Sequence, residues 1–412
     1  MDTKKTYHVD RRQFLRCTCG AGLAAAAGAA GLDKAWGAGD ASDAAVMPQR
    51  PLGKTGVNVP ILALGGSLNL MNRQLLLAQA LKMGVTYWDT ANNYSGGRSE
   101  DGIGAYFAKH PEDRKRVFLV TKTSAGSPEN IERSLAESLR RLKTDYADLY
   151  LFHGLSRVEG EINARILRWV EKVKAEGRIR FFGFSTHRNM AACLTEAARI
   201  GGVDAIMMTY NYRVMGGDDM QQAVADCVRA GIGLVAMKSQ GRAFSFADSE
   251  KGDQLVQHFQ DRGMSKHQAR LKAVWENPHI ASICSHMDTL AILKENVDAA
   301  RDRMVLSEQD RDLLQAHAQR TATDYCAGCG DICESGLDIS LPVADVMRCL
   351  MYAYCYNDYQ MARDAMAQLP PGIRQHLLAT DFSEAEKRCP KGMAIGRFMR
   401  LAAAAMEPHH QA

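Results

Sequence analysis

The stretch GVTYWDTANNYSGG, residues 84–97, sets an apolar run, Val85–Trp88, directly ahead of Asp89, with Tyr94 five residues further on across a polar turn. Two later apolar runs finish in the same way: VFLVTK ends on Lys122 and ADLYLFH ends on His153. Short, near-continuous apolar runs are the pattern of strands covered on both faces. An acid, a phenol, an amine and an imidazole therefore stand at or just past strand ends. A parallel barrel gathers such positions at its C-terminal face.

Working outward, strand candidates fall at 61–65, 85–89, 117–122, 147–153, 179–185, 205–211, 232–238 and 280–284. Helical stretches lie between them, among them Pro128–Leu142, Glu161–Glu176 and Met220–Ala230. Gly84, Gly177 and Gly231 stand where a helix should stop before the next strand. Eight such alternations predict an α/β fold, a closed (β/α)8 TIM barrel of about 250 residues. An open doubly wound sheet is the competing architecture, but no GxGxxG follows the first strand, which counts against a dinucleotide-binding Rossmann unit. The expected organisation is a signal segment over 1–38, a linker over 39–49, the barrel over 50–305, and a small, mainly helical C-terminal domain over 306–412.

The chain has 412 residues, 46% hydrophobic and 24% charged, enough for one large domain and a smaller one. Its net charge of +4 is mild and no basic stripe carries interleaved aromatics, so a nucleic-acid partner is not expected. The eleven cysteines are uneven: two near the N-terminus, three in the middle and six after residue 325. Such clustering points to metal ligation rather than a disulfide framework.

Near the N-terminus, DRRQFLR (10–16) precedes a weakly apolar Ala/Gly run from Gly20 to Leu32. Arg11 and Arg12, then Phe14 and Leu15, resemble a twin-arginine export signal, with small residues for cleavage near Ala35–Ala38. The run is too short and too weakly apolar for a stable membrane span. Export by the twin-arginine translocase, and a periplasmic location, are what that resemblance implies. Because this route moves folded proteins, it suits a cofactor loaded before export.

Reducing a carbonyl leaves an alkoxide that needs a proton. A tyrosine can supply it, more readily if a neighbouring cation lowers its pKa from near 10. Lys122 is placed to be that cation, Asp89 to hold the lysine, and His153 to orient the carbonyl. Taken singly, each has a structural explanation: a helix cap, a packing residue, an exposed amine. Their order on consecutive strand ends is the specific feature.

DTANNY, FLVTK and DLYLFH, with GRIRFFGFSTH further on and the opening PLGKTGVNV, resemble the aldo-keto reductase family over roughly Arg50–Asp302. The resemblance implies that Asp89, Tyr94, Lys122 and His153 form a catalytic tetrad with Tyr94 as proton donor. It also implies NAD(H) or NADP(H) extended over the barrel mouth. Ser185 would hold the carboxamide, the Lys238–Gly241 loop would cover the pyrophosphate, and Glu295 and Asn296 would contact adenine. Two positions depart from the family. Met207 replaces the glutamine that commonly binds the carboxamide. The segment Ser285–Leu293 carries Asp288 and no fixed cation, which disfavours the 2′-phosphate of NADP unless Lys294, Arg242 or His286 compensates.

After the barrel comes YCAGCGDICESGLDI, with Cys326, Cys329 and Cys333 within eight residues, and a distant Cys389-Pro390. This pattern matches ferredoxin-type [4Fe–4S] ligation and resembles the ferredoxin-like iron–sulfur domain that some aldo-keto reductases carry. Those domains commonly hold two fuller cysteine sets; four ligands here serve one cluster. A four-cysteine zinc site and disulfides are the alternatives. Cys349 and Cys355 share a helical stretch with Met347, Tyr352 and Tyr356 and read as packing residues, Cys355 being the spare ligand.

Together these features predict an exported oxidoreductase acting on a small-molecule carbonyl or alcohol, with the cluster passing electrons to or from a redox partner protein. Two alternatives stand beside it. One is a catalytically inactive barrel used as an electron-transfer docking module. The other is a conventional NAD(P)H-dependent aldehyde or ketone reductase.

Overall fold

Alternating interior and exterior side chains explain how the eight apolar runs assemble. Within β4 (Tyr87–Asp89), Tyr87 and Asp89 face the inside while Trp88 packs outward on Tyr106 and Phe107. The structure, a computed structural model, describes residues 46–124, 126–244 and 249–406. The proposed signal segment and most of the linker lie outside the described residues.

A hairpin, β1 (Gln49–Pro51) with β2 (Asn58–Pro60), precedes the barrel. The remaining barrel strands are β3 (Leu62–Gly65), β5 (Phe118–Thr123), β6 (Ala147–Phe152), β7 (Ile179–Thr186), β8 (Ala205–Thr209), β9 (Gly233–Met237) and β10 (Ile280–His286). All pair in parallel, and β10 closes the ring on β3. The expected (β/α)8 architecture is therefore present, with strand ends shifted by two residues or fewer from those read in the sequence. The helix Pro128–Leu142 has the expected bounds and starts on a Ser127 cap. Gly231 ends the helix Asp218–Ala230 in the left-handed region, as its sequence position implied.

Leu52 and Val59 of the hairpin share an interior core with Ala63, Val120, Leu149 and Val235. The Lys54 N–H also donates to the Gly231 carbonyl at 2.8 Å. One end of the barrel is thus filled, leaving the strands' C-terminal ends as the available mouth. A larger core lies between the strands and the outer helices.

The helix Glu308–Arg320 packs through Leu314, with Leu306, onto Phe259, Ala269 and Ala273. From Ala322 onward the described chain is helical and builds a second core around Val346, Leu350, Phe382, Phe398 and Met399. Phe244, from the loop after β9, joins that core. The helix Val343–Leu350 runs on into a wider π turn, Met351–Cys355. No described helix is long and apolar enough to cross a membrane.

Candidate active site and cysteine cavity

The four strand-end residues named from the sequence converge. Asp89 closes β4, Lys122 lies near the end of β5 and His153 follows β6. The Lys122 ammonium stands 2.6 Å from the Asp89 carboxylate and donates to the Thr90 carbonyl at 2.8 Å; both side chains are buried. Tyr94 reaches them through a pinned turn. The N–H groups of Thr90 and Asn92 donate to the carbonyls of Val120 and Lys122, and Ser95, Gly96 and Gly97 then run with positive φ. That sharp reversal holds the Tyr94 ring 4.9 Å from the Lys122 ammonium and edge-on to His153, with ring centroids 5.4 Å apart.

The electrostatics differ from the expectation that Lys122 lowers the Tyr94 pKa. Lys122 gives its hydrogen bonds to Asp89 and Thr90 and meets Tyr94 over the ring face. Burial, reinforced by the Asp89 charge, pushes the phenol well above its ordinary value; Arg348 opposes this. Tyr94 is therefore protonated near neutrality, the state a proton donor needs. Burial lowers the His153 pKa to about 3, aided by the charges of Lys122, Arg348 and Lys238, so its ring is neutral. Asp89 is raised by burial against the pull of Lys122 and a hydrogen bond from Cys284.

Ser185 is buried at the end of β7 and its hydroxyl accepts the Gly154 N–H at 2.9 Å, leaving its own proton to donate. Met207 points into the barrel core, where no carboxamide partner is offered. Lys238 and Gly241 lie in the loop after β9, and the C-terminal helices cover part of this loop. The Tyr352 ring centroid is 4.9 Å from the Lys238 ammonium, and Arg242 donates to the Cys355 carbonyl at 3.2 Å and covers the Tyr356 ring. The Gly241 carbonyl accepts from Arg213, and its N–H donates to the Lys238 carbonyl at 3.0 Å. Glu295 accepts from the Ser265 hydroxyl at 2.5 Å, and Asn296 is buried and donates to Ser285 at 3.0 Å. With the Met351–Tyr356 segment in place, the loop assigned to a pyrophosphate is covered. An extended dinucleotide fits only if that segment moves.

Arg348 and Tyr352 reach the site from beyond the barrel, and their charges are felt at Tyr94. Nothing in the sequence ties them to it, because the contact depends on how the C-terminal helices dock. The docking is specific. Arg188, just past β7, lies 3.0 Å from Glu334 and 3.1 Å from Asp345, and the Asn189 N–H donates to the Gly328 carbonyl at 2.7 Å. A cavity of ≈ 450 Å³, measured out to its mouth, remains between His187, Thr209 and Lys238 on one side and Tyr325, Cys326 and Arg348 on the other.

Cys326, Cys329, Cys333 and Cys389 line a second cavity, of ≈ 360 Å³, whose other walls include Val343, Met347, Met393 and Ile395. All four are free thiols; burial pushes Cys326 and Cys333 up to about 12, with neighbouring sulfurs adding to both. Cys349 packs away from that cavity, and the carbonyl of Cys355 faces Arg242.

A model of the Aldo/keto reductase family matches residues 63–293, ending before the cysteine-rich region. The uncharacterized oxidoreductase YqkF of Bacillus subtilis (strain 168) is 27% identical over 307 residues, covering 66% of this chain and 97% of that protein. Methylglyoxal reductase YeaE of Escherichia coli (strain K12) is 39% identical over 114 residues, 26% of this chain and 37% of its own. Among solved structures, a thermostable aldo-keto reductase in complex with the inhibitor epalrestat is similar with a TM-score of 0.55 and 27% identity, covering 66% of this chain and 99% of that one. The holo form of an aldo-keto reductase from Bacillus halodurans, at 22% identity, TM-score 0.55 and 66% and 96% coverage, shows the same fold.

Proposed function

The chain belongs to the aldo/keto reductase family, and on that premise we propose an exported, periplasmic oxidoreductase that interconverts a carbonyl and an alcohol beside an iron–sulfur cluster. In this family the reducing equivalents come as a hydride from NAD(P)H. The chain's own residues handle the proton. Neutral His153 donates a hydrogen bond to the substrate oxygen, and the Tyr94 hydroxyl gives its proton to that oxygen as the carbonyl is reduced. The resulting phenolate faces the Lys122 ammonium, whose place is fixed by Asp89. In the oxidative direction the same groups take the proton back.

One observation carries the cluster's part in this function: Cys326, Ala327, Ala344 and Met347 line both cavities. A cluster on the four cysteines would share a wall with the cavity that His187, Thr209 and Lys238 line at the barrel mouth. The donor set favours iron–sulfur over zinc. Tetrahedral zinc with Zn–S near 2.3 Å needs sulfurs about 3.8 Å apart. Among the described residues, no three of these sulfurs lie within 4.8 Å of one another. A cubane binds each sulfur through a different iron and so accepts a wider set. When bound, the cluster supplies single electrons, for exchange with a redox partner protein. Export through the twin-arginine translocase rests on Arg11 and Arg12 and suits a cluster inserted before transport.

Anaerobic purification tests this, with iron and sulfide analysis, EPR and released nucleotide measured on the same sample. About four irons per chain and a reducible cubane signal are expected. Iron-free protein, or one zinc per chain, would remove the cluster. Turnover that survives Tyr94→Phe unchanged would remove the tetrad mechanism. Full-length protein found in the cytoplasmic fraction would remove export.

A further inference from the structure

We infer that the cavity at the barrel mouth is an anion site, in which Arg348 and Lys238 hold a carboxylate that the substrate carries beside its carbonyl. The inference rests on the carbonyl/alcohol chemistry proposed above and narrows its substrate to 2-oxo or 2-hydroxy acids. Three cations, Lys238, Arg242 and Arg348, line the cavity against one carboxylate, Asp324. Arg242 is committed to the Cys355 carbonyl and the Tyr356 ring. The other two have capacity left. The Lys238 ammonium donates to no acceptor among the described residues and meets only the Tyr352 ring. Arg348 gives one Nη to Asp345 at 3.0 Å and hydrogen-bonds Tyr352, while its Nε is buried without a partner.

Two cations facing one cavity repel each other unless an anion lies between them; burial and the Arg348 charge push the Lys238 amine well below its ordinary range, and a bound carboxylate would raise it again. A carboxylate suits this pair, because a guanidinium edge offers parallel donors and an ammonium a point charge. The position is also right. His187, just past β7, and Thr209, at the end of β8, line the cavity on the barrel face that carries Asp89, Lys122 and His153, and the charges of both cations are felt at His153. A carboxylate held there would set the adjoining carbonyl toward the tetrad. Arg348 lies beyond the family-matched residues, so this selectivity would be added by the C-terminal helices. A nucleotide diphosphate is the rival anion. It seeks free backbone N–H groups, but the Gly241 N–H is taken by the Lys238 carbonyl.

The test is isothermal titration of anaerobically purified full-length protein with oxalate, beside steady-state kinetics on glyoxylate and its uncharged methyl ester with NADH or NADPH supplied as the hydride donor. Oxalate should bind at one site, less tightly as salt rises. Arg348→Gln should weaken binding by about tenfold to a hundredfold, and Arg348→Lys should recover part of it. The KM for glyoxylate should rise with Arg348→Gln at little change in kcat, while the ester's KM stays put. Should Arg348→Gln fail to fold, Lys238→Met carries the same comparison. Absent oxalate binding, equal affinity in both variants, or equal KM changes for acid and ester would overturn the inference. So would displacement of oxalate by ADP with the same Arg348 dependence, which would give the site to a diphosphate. If Arg348-dependent oxalate binding persists while neither acid nor ester is turned over, the anion site stands and the carbonyl chemistry falls.

Discussion

Gly328 lies so close beneath the His187 carbonyl that a Cβ on it would sit 2.3 Å from that oxygen. Its own carbonyl accepts the Asn189 N–H, and its φ of +79° is in the left-handed region. This glycine lies between Cys326 and Cys329. The turn that carries the first two cysteines is therefore also the turn that seats the C-terminal helices on the barrel mouth. Cysteine geometry and the seating of the helices therefore share one tight contact.

Gly328→Ala should cost about 1–3 kcal/mol from backbone strain and more from the clash, seen as a lower Tm and faster proteolysis after Arg320. Gly372→Ala is the control. Its φ is also positive, at +75°, but nothing lies within 4 Å of the added carbon. Equal losses in the two variants would show that the His187 contact does not hold the helices down.

Tyr94→Phe should lower turnover by about 10²–10⁴ with Tm almost unchanged, since the hydroxyl makes no hydrogen bond among the described residues. Lys122→Met should behave differently. It strands the buried Asp89 carboxylate, a loss of about 3–5 kcal/mol, and Asp89→Asn in the same chain should restore much of it. Urea unfolding of the single and double variants checks the coupling.

The barrel and the convergence of its four strand-end residues were legible because each rests on local pattern. An apolar run fixes a strand, and the parallel ring brings Asp89, Lys122 and His153 to one face whatever the loops do. Tyr94 was legible from the polar turn, although not its protonation. The phenol's pKa is set by burial, which no spacing reveals. Arg348, Tyr352 and Cys284 were not legible as site residues. Arg348 and Tyr352 sit in an ordinary helical pattern and matter only through docking, and Cys284 reaches Asp89 across the barrel from β10. The coverage of Lys238 and Gly241 escaped notice for the same reason. Their local sequence is a loop, and what covers it comes from more than a hundred residues later.

Acid should destabilise this protein through its buried histidines. Burial, with neighbouring cations adding to it, holds His153 at about 3, His267 and His317 at about 4, and His187 well below its ordinary value. Unfolded histidines bind protons below about pH 6.5. Between there and about pH 4 the unfolded chain binds more protons than the folded one, so stability rises with pH across that window. Tm should fall steadily from pH 7 to pH 5, and His317→Gln should flatten the slope. A flat Tm over that range would show that these rings are solvated.

Single cysteine substitutions separate ligand from spare among the late cysteines. Cys389 lines the cavity with Cys326, Cys329 and Cys333 although it lies far along the chain, after the helix Ser383–Arg388. Cys355 ends the π turn, with its carbonyl facing Arg242 on the barrel side. Cys389→Ser should abolish the cubane EPR signal and cut iron to well below one cluster per chain. Cys355→Ser should leave both intact, because it does not line the cavity. The reverse pattern would move the fourth ligand into the turn above the barrel mouth and bring the cluster nearer the Tyr352 face. Loss of iron in both variants, with equal falls in Tm, would mean that folding of the helical region controls the cluster. Absorbance, EPR and iron content on each variant therefore decide between a cluster fixed by Cys389 and one fixed from the turn.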